Sequence, residues 1–427
     1  MKYAFINMHL LSGREDMKPQ DGLAVLVDGE KIVDIVAESA VPAEYEKKDL
    51  GGRYLMPGLI NLHVHIPGSG KPQKKPMDVK KTIKLMTCCG LARKMVEIIY
   101  QKYANTALLS GVTTIRTVGG LEDYDSKLRD KIRQGKVQGP RILASNMAVS
   151  VPGGHMAGSL AYEATTPEEA AAFVRKIAED KPDLIKLMIT GGVLDAEHKG
   201  EPGVLRMQPE LVKAACDEAH RLGLQVAAHV ESPEGVRVAL ENGVDTIEHG
   251  AKPDEEILRL FKERGAALVA TLSPALPFAL FDREVSNCTE IAQFNGKIVF
   301  DGIIDCAKAC VEQGIPVGLG TDTGCPYVTH YGMWRELHYF SKFCGVSNAF
   351  ALYTATLRNA QLAGIGDVTG SIAPGKSADF IVTRENPLED LRALQHLELV
   401  VCRGRAVKKP SPKRRKEVDA LLDPYLV

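Results

Sequence analysis

The sequence predicts an α/β protein: a (β/α)8 barrel of the triosephosphate isomerase (TIM) type with a small β-sandwich domain formed by both chain ends. Three observations predict it. The chain has 427 residues, more than one ordinary domain holds. Short apolar runs alternate with helical stretches through its middle, which is the pattern of βα units. Strand-like runs without that alternation occupy both ends.

The two chain ends carry the sandwich signals, because alternating or apolar runs lie between turns that contain Gly and Asp. The predicted sandwich strands are Tyr3–Asn7, Leu23–Asp28, Lys31–Ala37, Ala378–Thr383 and Leu397–Val401. We place the composite β-sandwich domain at residues 1–57 plus 371–408, the barrel at 58–370 and a C-terminal extension at 409–427. The extension begins basic and ends apolar, which favours docking of its end on a neighbour.

Eight apolar runs in the middle of the chain are the candidate barrel strands. They are Leu59–His65, Val112–Val118, Arg141–Ser145, Leu184–Ile189, Gln225–Val230, Thr246–His249, Ala267–Leu272 and Pro316–Thr321. An open doubly wound sheet is the alternative, but no Gly-rich phosphate fingerprint follows the first run. Residues 67–104 form a long insertion after the first strand, where loops often cover an active site.

Composition and charge argue against nucleic acid and membranes as binding partners. The formal net charge is -1, from 53 basic and 54 acidic residues, so no global field attracts nucleic acid or an anionic membrane. No stretch reaches the roughly 20 apolar residues that cross a bilayer. The nine cysteines are scattered without CxxC spacing, which favours reduced thiols in the cytoplasm. We expect a cytoplasmic protein with a small-molecule substrate and no nucleic-acid or membrane partner; a homo-oligomer is left open.

The strongest local signal is the pair His63 and His65 on the first barrel strand. Alternate side chains on a strand face the same way, so both imidazoles point into the barrel while Val64 packs outward. Two histidines so placed can bind one cation at about 2.0–2.1 Å. A hydrogen-bonded pair of core histidines is the alternative, and the pair alone does not decide between them.

Lys186 lies within an otherwise apolar strand, Leu184–Ile189. An unpaired ammonium in such a place is costly, so its pKa should fall towards neutrality. A neutral amine reacts with carbon dioxide to give a carbamate, a bidentate anion able to bridge two metals. The alternative is a lysine that extends out of the barrel or pairs with Asp322.

Three further candidates stand at strand ends. His229 ends the fifth strand, His249 ends the sixth and Asp322 ends the eighth. Each alone could be structural. C-terminal strand ends, however, are where barrel enzymes gather their catalytic groups. With the histidine pair and the lysine, six potential ligands occupy five strands, and this joint pattern predicts a metal site.

Taken together, these residues resemble the binuclear pattern of the amidohydrolase superfamily. The resemblance covers nearly the whole chain and includes Met56–Gly58, leading into the first strand, and Gly370–Asp379, leading back to the sandwich. More narrowly, Lys186–Gly192 and Ile247–Gly250 are similar to the imidazolonepropionase-like branch. That branch includes prolidase-like dipeptidases, arginine carboxypeptidases and ochratoxin-hydrolysing amidases.

The resemblance implies hydrolysis of a carbon–nitrogen bond in an amide, N-acyl amino acid, dipeptide or cyclic amide. It implies two divalent metal ions, with zinc as the first expectation because imidazole suits it. By resemblance, Asp322 is the catalytic proton shuttle that takes the proton of a metal-bridging hydroxide and delivers it to the leaving nitrogen. The implied ligands are His63, His65 and Asp322 for one metal, His229 and His249 for the other, and carboxylated Lys186 between them.

Three residues are candidates for substrate contact. His155 follows a Gly-Gly pair, as in the prolidase-like branch, and His330 lies after strand eight. Glu231 stands where those relatives often have a tyrosine that meets the substrate carboxylate. A carboxylate there repels an anionic terminus, which disfavours a C-terminal dipeptidase and favours a cationic or neutral substrate. Ordinary loop positions are the alternative for all three.

Two other functions compete with this one. A heterocycle deaminase with one metal is the first, but deaminases of the superfamily usually lack the lysine on strand four, so Lys186 argues against it. A non-catalytic scaffold on the same fold is the second. Such relatives typically lose metal ligands, whereas every expected ligand is present here.

Overall fold

The computed structural model describes residues 2–72 and 79–426. Its strands are β1 Lys2–Leu10, β2 Leu23–Asp28, β3 Lys31–Ala37, β4 Glu46–Pro57, β5 Leu59–Val64, β6 Val112–Thr117, β7 Arg141–Leu143, β8 Ala148–Ser150, β9 Ala161–Glu163, β10 Leu184–Met188, β11 Gln225–Val230, β12 Thr246–His249, β13 Ala267–Ala270, β14 Val317–Leu319, β15 Phe380–Thr383, β16 Leu397–Cys402 and β17 Arg405–Lys408. Its helices are α1 Val79–Met86, α2 Gly90–Leu109, α3 Tyr124–Arg133, α4 Pro167–Glu179, α5 Pro209–Arg221, α6 Pro233–Glu241, α7 Glu255–Arg264, α8 Leu272–Leu280, α9 Arg283–Ser286, α10 Glu290–Glu312, α11 Met333–Cys344, α12 Asn348–Tyr353, α13 Asn359–Leu362 and α14 Lys416–Leu422.

The barrel consists of β5 to β7 and β10 to β14, which follow one another around it as parallel strands. It closes where Asp322 N donates to His63 O at 2.9 Å, beside β14 and β5. Between β7 and β10, Asp183 N donates to Ala144 O at 2.7 Å. The predicted barrel is confirmed, and the open sheet is wrong. The short strands β8 and β9, inserted before β10, were not predicted.

The second domain contains strands from both chain ends, as predicted. They form one sheet in the order β17-β16-β15-β4-β1-β2-β3. This sheet curls over its own apolar core, because Ile32 N at the start of β3 donates to Lys376 O at 2.9 Å, just before β15. The long strand β4 was not predicted; apart from Leu50, its apolar and aromatic residues are confined to Tyr54–Pro57. The domain boundaries given above stay a prediction.

The end of the chain docks on this chain's own barrel instead of on a neighbour. The side chains of Val418, Leu422 and Leu426 are buried in the main core. Arg335 of α11, itself 2% exposed, holds the segment through Asp419, with 3.1 Å between Nη1 and Oδ1. Apolar burial and an ion pair therefore fix the C-terminal helix. None of the helices within residues 2–72 and 79–426 has the length and apolarity that crossing a bilayer requires.

The buried carboxylate of Asp379 joins the sheet to the barrel. It accepts hydrogen bonds from Arg403 N (2.6 Å), Thr369 Oγ1 (2.8 Å) and Arg141 Nη2 at the start of β7 (3.1 Å). Removing it leaves Arg141 without its ion-pair partner and the half-buried Arg403 N–H without its acceptor.

We expect Asp379→Ala to lower the free energy of unfolding by about 3 kcal/mol, because a buried charge loses its partner. Urea-induced unfolding measures the change. The matched control is Asp301→Ala, which removes an exposed carboxylate paired with Lys297 and should cost less than about 1 kcal/mol. Equal losses in both variants would contradict the role given to Asp379.

Candidate active site

All six predicted ligands converge at the C-terminal end of the barrel. His63 is near the end of β5 and His65 follows it, while Lys186, His229 and His249 lie on β10, β11 and β12. Asp322 follows β14. The six side chains belong to residues that are buried, none more than 8% exposed. Residues far apart in the chain thus meet because parallel strands end at the same rim.

Asp322 stands between the histidines of the first strand. Its Oδ1 lies 3.2 Å from His65 Nε2 and 3.6 Å from His63 Nε2. On the other side, the ring centroids of His63 and His249 are 4.8 Å apart, and those of His249 and His229 are 4.7 Å apart. The imidazoles therefore form a continuous arc around the rim.

Two sets of ligand atoms are close enough to hold a cation. In each set the ligand atoms lie within 4.8 Å of one another. One set is His63, His249 and Asp322, and the other is His229, Glu231 and His249. Glu231, which the sequence suggested as a substrate contact, thus brings its carboxylate beside His229 and His249. Its Oε2 is buried and has no hydrogen-bond partner among the described residues.

Lys186 is 1% exposed, and its Nζ has no hydrogen-bond partner in the described part of the chain. Burial lowers the pKa of Lys186 to about 8. The interpretation that this lysine extends to solvent is wrong, and no hydrogen bond or ion pair within 4 Å to Asp322 is formed among the described residues. An amine so placed is costly unless it is modified or faces a charge that is added to the site.

The protonation state of three of the four histidines, His63, His229 and His249, suits metal binding. Burial, with the nearby Lys186, lowers the pKa of His63 to about 4. Burial also holds the pKa values of His229 and His249 well below the ordinary histidine value. Neutral imidazole is the form that ligates cations. The donor set, the unpartnered amine and the neutral rings therefore fit a site for divalent cations.

Contacts behind the rings set their orientation. His63 Nδ1 lies 2.8 Å from Glu248 Oε2, His65 Nδ1 lies 2.8 Å from Gly119 O, and His249 Nδ1 lies 2.7 Å from Thr271 Oγ1. A hydrogen bond at Nδ1 leaves Nε2 free to face the centre of the site. Three of the four rings are thus oriented by such contacts.

Glu248 and Arg116 are positioning residues that the sequence reasoning missed. Arg116 Nη2 donates to Glu248 Oε1 at 2.7 Å, and both side chains are buried. Burial alone would raise the pKa of Glu248, but Arg116 and His63 outweigh it and hold that pKa at about 2. A glutamate directly before His249 and an arginine inside a predicted barrel strand were the available signals. Arg116 thus keeps Glu248 ionised, and the carboxylate of Glu248 lies against His63 Nδ1.

The backbone at two ligands is in the left-handed region. His249 has φ 69° and Asp322 has φ 55°. Such conformations cost about 1–3 kcal/mol for residues other than glycine and concentrate at functional sites. Close packing adds a further constraint, because a Cβ on Gly320 would lie 2.4 Å from the Cβ of His63. The side chains of His249 and Asp322 are therefore held at the rim although the backbone conformation of both residues is unfavourable.

The two predicted substrate histidines differ in position. The ring of His155 stacks on that of His229 at 4.2 Å, and its Nδ1 lies 2.5 Å from Asp195 Oδ2. His330 instead lies 2.8 Å from Gly68 O through Nε2 and stacks on Tyr103 at 4.5 Å. His155 is therefore at the site, whereas the described contacts of His330 attach the 67–104 insertion to the loop after β14. Residues 73–78 of that insertion lie outside the described residues.

Comparison with known proteins gives the family. The sequence profile of the amidohydrolase family matches residues 54–407. The chain belongs to this family. Ochratoxinase from Aspergillus niger is 28% identical to this amidohydrolase over 408 residues, covering 88% of this chain and 80% of ochratoxinase. Imidazolonepropionase from Geobacillus kaustophilus is 21% identical over 394 residues, covering 86% and 83% of the two chains.

Solved structures agree with this assignment. A Bifidobacterium longum protein proposed to be a prolidase is 37% identical, with a TM-score of 0.88, covering 100% of this chain and 99% of its own. A Xaa-Pro dipeptidase with methionine bound in its active site is 30% identical, with a TM-score of 0.84, covering 96% and 100%. This amidohydrolase is accordingly a hydrolase that acts on carbon–nitrogen bonds of the amide type.

We expect Glu248→Gln to weaken binding of divalent cations by about 10–100-fold, because a residue that orients a ligand tunes the affinity of the site. Competition with a chromophoric chelator, with zinc as the probe, measures the affinity. The comparison is Glu234→Gln on the outside of α6, which should leave the affinity unchanged. Unaltered zinc binding by correctly folded Glu248→Gln would contradict the role of Glu248 in orienting a metal ligand.

Proposed function

We propose that this amidohydrolase is a binuclear metal hydrolase of amide bonds, with Lys186 carboxylated between two divalent cations, zinc being the first expectation. One observation carries the proposal: the buried Lys186 amine has no hydrogen-bond partner among the described residues and lies near the Asp322 carboxylate and near imidazoles whose pKa values burial lowers, those of His63, His229 and His249. Carboxylation forms a bond between Nζ and the carbon of carbon dioxide and releases one proton. The amine is thereby converted into an anion that suits cationic neighbours.

The chain offers a ligand set for each cation. His63, His65 and Asp322 would hold one cation, and His229 and His249 the other, with Glu231 as a further oxygen donor next to the second. When bound, the cations supply Lewis-acid polarisation of the scissile carbonyl and lower the pKa of water to about 7. The other steps fall to the side chains of the protein.

Asp322 is the proposed proton carrier. Its carboxylate is ionised at neutral pH: burial opposes ionisation, but the facing His63 and His65 hold the pKa of Asp322 well below its ordinary range. It can take a proton from the attacking water and pass it to the leaving nitrogen, so that the acyl group gains OH and the amine gains H. Asp322 would then act as the base in the first step and as the acid in the second.

The substrate class follows from the rim of the site. Ochratoxinase, Xaa-Pro dipeptidase and imidazolonepropionase are the named relatives, so an amide, an N-acyl amino acid, a dipeptide or a cyclic amide is the proposed substrate. Burial raises the pKa of Glu231 to about 8, but a cation held beside it by His229 and His249 would favour the carboxylate form. In that form Glu231 repels an anionic substrate group. His155 stacks on His229 with its other nitrogen available to a substrate oxygen. We therefore propose a substrate that is neutral or cationic near Glu231.

We expect Asp322→Asn to reduce kcat by about 10²–10⁴-fold, because the amide of asparagine cannot relay a proton. Steady-state hydrolysis of a panel of dipeptides, N-acyl amino acids and lactams measures it. Metal analysis of the same samples is the control, since the loss must occur with the cations still bound. Near-normal turnover by metal-loaded Asp322→Asn would overturn the role of Asp322.

Metal analysis of the wild-type protein also tests the proposal as a whole. About two equivalents per chain support the binuclear site, whereas about one equivalent favours the mononuclear deaminase. Full metal loading with no turnover of any amide in the panel would favour the alternative that the protein is a non-catalytic scaffold.

We expect Glu231→Gln to shift selectivity of the metal-loaded protein towards substrates with a free carboxylate, because it removes a group that a neighbouring cation would keep negatively charged. The ratio of kcat/KM for N-acetyl-amino acids to that for their amides should rise by about tenfold, the factor of one like-charge contact. The matched control is Glu234→Gln, three residues further on and exposed. An unchanged ratio with intact metal content would place Glu231 away from the substrate.

A further inference from the structure

Helix α2 carries an apolar stripe on its outward face. Leu91, Met95 and Ile98 are 76%, 51% and 50% exposed, and none of them packs against a hydrophobic core in the described part of the chain. Lys102 and Asn105 continue the stripe, because steps of four, three, four and three residues return to one side of a helix. We call these five residues the α2 stripe. Their spacing is that of the contact positions of a coiled coil.

The second half of the stripe forms an open cavity. Its volume is about 340 Å³, and it is lined by Ile98, Gln101, Lys102, Asn105 and Gln138. The first four are residues i, i+3, i+4 and i+7 of one helix. Four residues so spaced form the hole that receives one side chain of a facing helix in knobs-into-holes packing. The stripe therefore has an exposed projection, Leu91, at one end and a recess at the other.

The projection and the recess lie on the same helix face, so a two-fold axis brings each against the other. In an antiparallel pair of α2 helices, with the axis between positions 96 and 97, Leu91 lies opposite Lys102 of the second copy and enters its recess. Met95 then lies opposite Ile98 of the second copy. A two-fold contact makes each of these interactions twice and closes the assembly, so neither stripe is left open.

Charge favours an antiparallel pair over a parallel one. Lys94 and Lys102 form no ion pair within 4 Å among the described residues. In a parallel pair each lysine would face its own copy. In the antiparallel pair the two copies of Lys94 are about 8 Å apart along the axis and those of Lys102 about 16 Å, against a Debye length of about 8 Å. Lys94 is nearer to Glu97 of the second copy, about 3 Å along the axis.

We propose that the α2 stripe is the contact between two copies of this chain, packed as an antiparallel helix pair with two-fold symmetry. Each copy removes three exposed apolar side chains from water, which is the main source of association free energy. A stable homodimer buries roughly 800 Å² per chain, more than one stripe provides. Leu85 at the end of α1 is 70% exposed, lies close to the start of α2 and widens the surface.

Sedimentation velocity of the full-length, metal-loaded protein at several concentrations tests the contact. We expect the wild type to contain an even number of chains. Met95→Glu/Ile98→Glu should reduce that number at least about twofold, because the contact would have to bury unpaired carboxylates. The circular dichroism spectrum and the metal content of this variant should stay unchanged, since both side chains are exposed in the single chain.

Two control variants separate the stripe from a general effect of charge or of substitution. Val33→Glu/Val368→Glu places the same two charges on exposed valines outside α1 and α2 and should assemble like the wild type. Met95→Leu/Ile98→Leu keeps the stripe apolar and should also assemble like the wild type.

A disulfide tests the register of the pair. In a Cys88→Ser/Cys89→Ser background, Leu91→Cys/Lys102→Cys should give a covalent dimer with oxidised glutathione as the oxidant, because the two positions face each other across the axis. Within one chain they are about 16 Å apart, too far for a disulfide. Leu91→Cys alone and Lys102→Cys alone are the controls and should stay monomeric under denaturing, non-reducing electrophoresis.

Three outcomes would overturn the antiparallel contact. The first is a monomeric wild type at every concentration, and the second is wild-type assembly by Met95→Glu/Ile98→Glu. The third is crosslinking of Leu91→Cys alone, which requires a parallel pair. A monomeric wild type that binds vesicles of phosphatidylserine and phosphatidylcholine, and loses this binding in Met95→Glu/Ile98→Glu, would make the stripe a lipid-binding face instead.

Discussion

The structure depends on one electrostatic constraint: ionisable groups are buried at the end of the barrel with few partners of their own. Arg116 and Glu248 neutralise each other beneath the site. Above them, Lys186 has an amine without a hydrogen-bond partner among the described residues. The carboxylate of Asp322 lies within 4 Å of His63 and His65, and burial lowers the pKa of His63 to about 4. Such an arrangement is unfavourable in a low-dielectric interior unless added charge completes it. The same burial that makes these charges costly lowers the pKa values of His63, His229 and His249, and so keeps these rings in the form that binds cations.

That constraint explains why most of the site could be predicted from the sequence. A lysine inside an apolar strand and histidines at strand ends violate ordinary core composition, so Lys186, His63 and His249 stand out without a structure. Glu248 does not stand out in the same way, because its role depends on Arg116, which is 132 residues away in the chain and adjacent only once the barrel closes. The substrate role of His330 stays a prediction, because a histidine in a loop near the rim can also serve packing, and its described contacts are with Gly68 O and the ring of Tyr103.

The fold was predictable to a similar degree and for similar reasons. Each buried parallel strand is a short apolar run, so the eight barrel strands were visible in the sequence. Strand β4 was not, because its first eight residues, Glu46–Arg53, are mostly charged or glycine and form a strand only through pairing with β1. The docking of the C-terminal helix was also hidden. Its apolar residues indicate a covered surface, but only the position of Arg335 on α11 shows that this surface belongs to the same chain.

The junction between the two domains connects these observations. Strand β4 ends at Pro57, and β5, which carries His63, begins at Leu59, so a single residue separates the sheet from the catalytic strand. Gly58 N donates to Asp379 O at 3.1 Å, and a Cβ at Gly58 would lie within 3 Å of the Thr113 side chain. The path of the chain at this point is therefore fixed by both packing and hydrogen bonding. Because β5 cannot shift without β4, the terminal sheet sets the position of the first two ligands, and so it is part of the support of the active site.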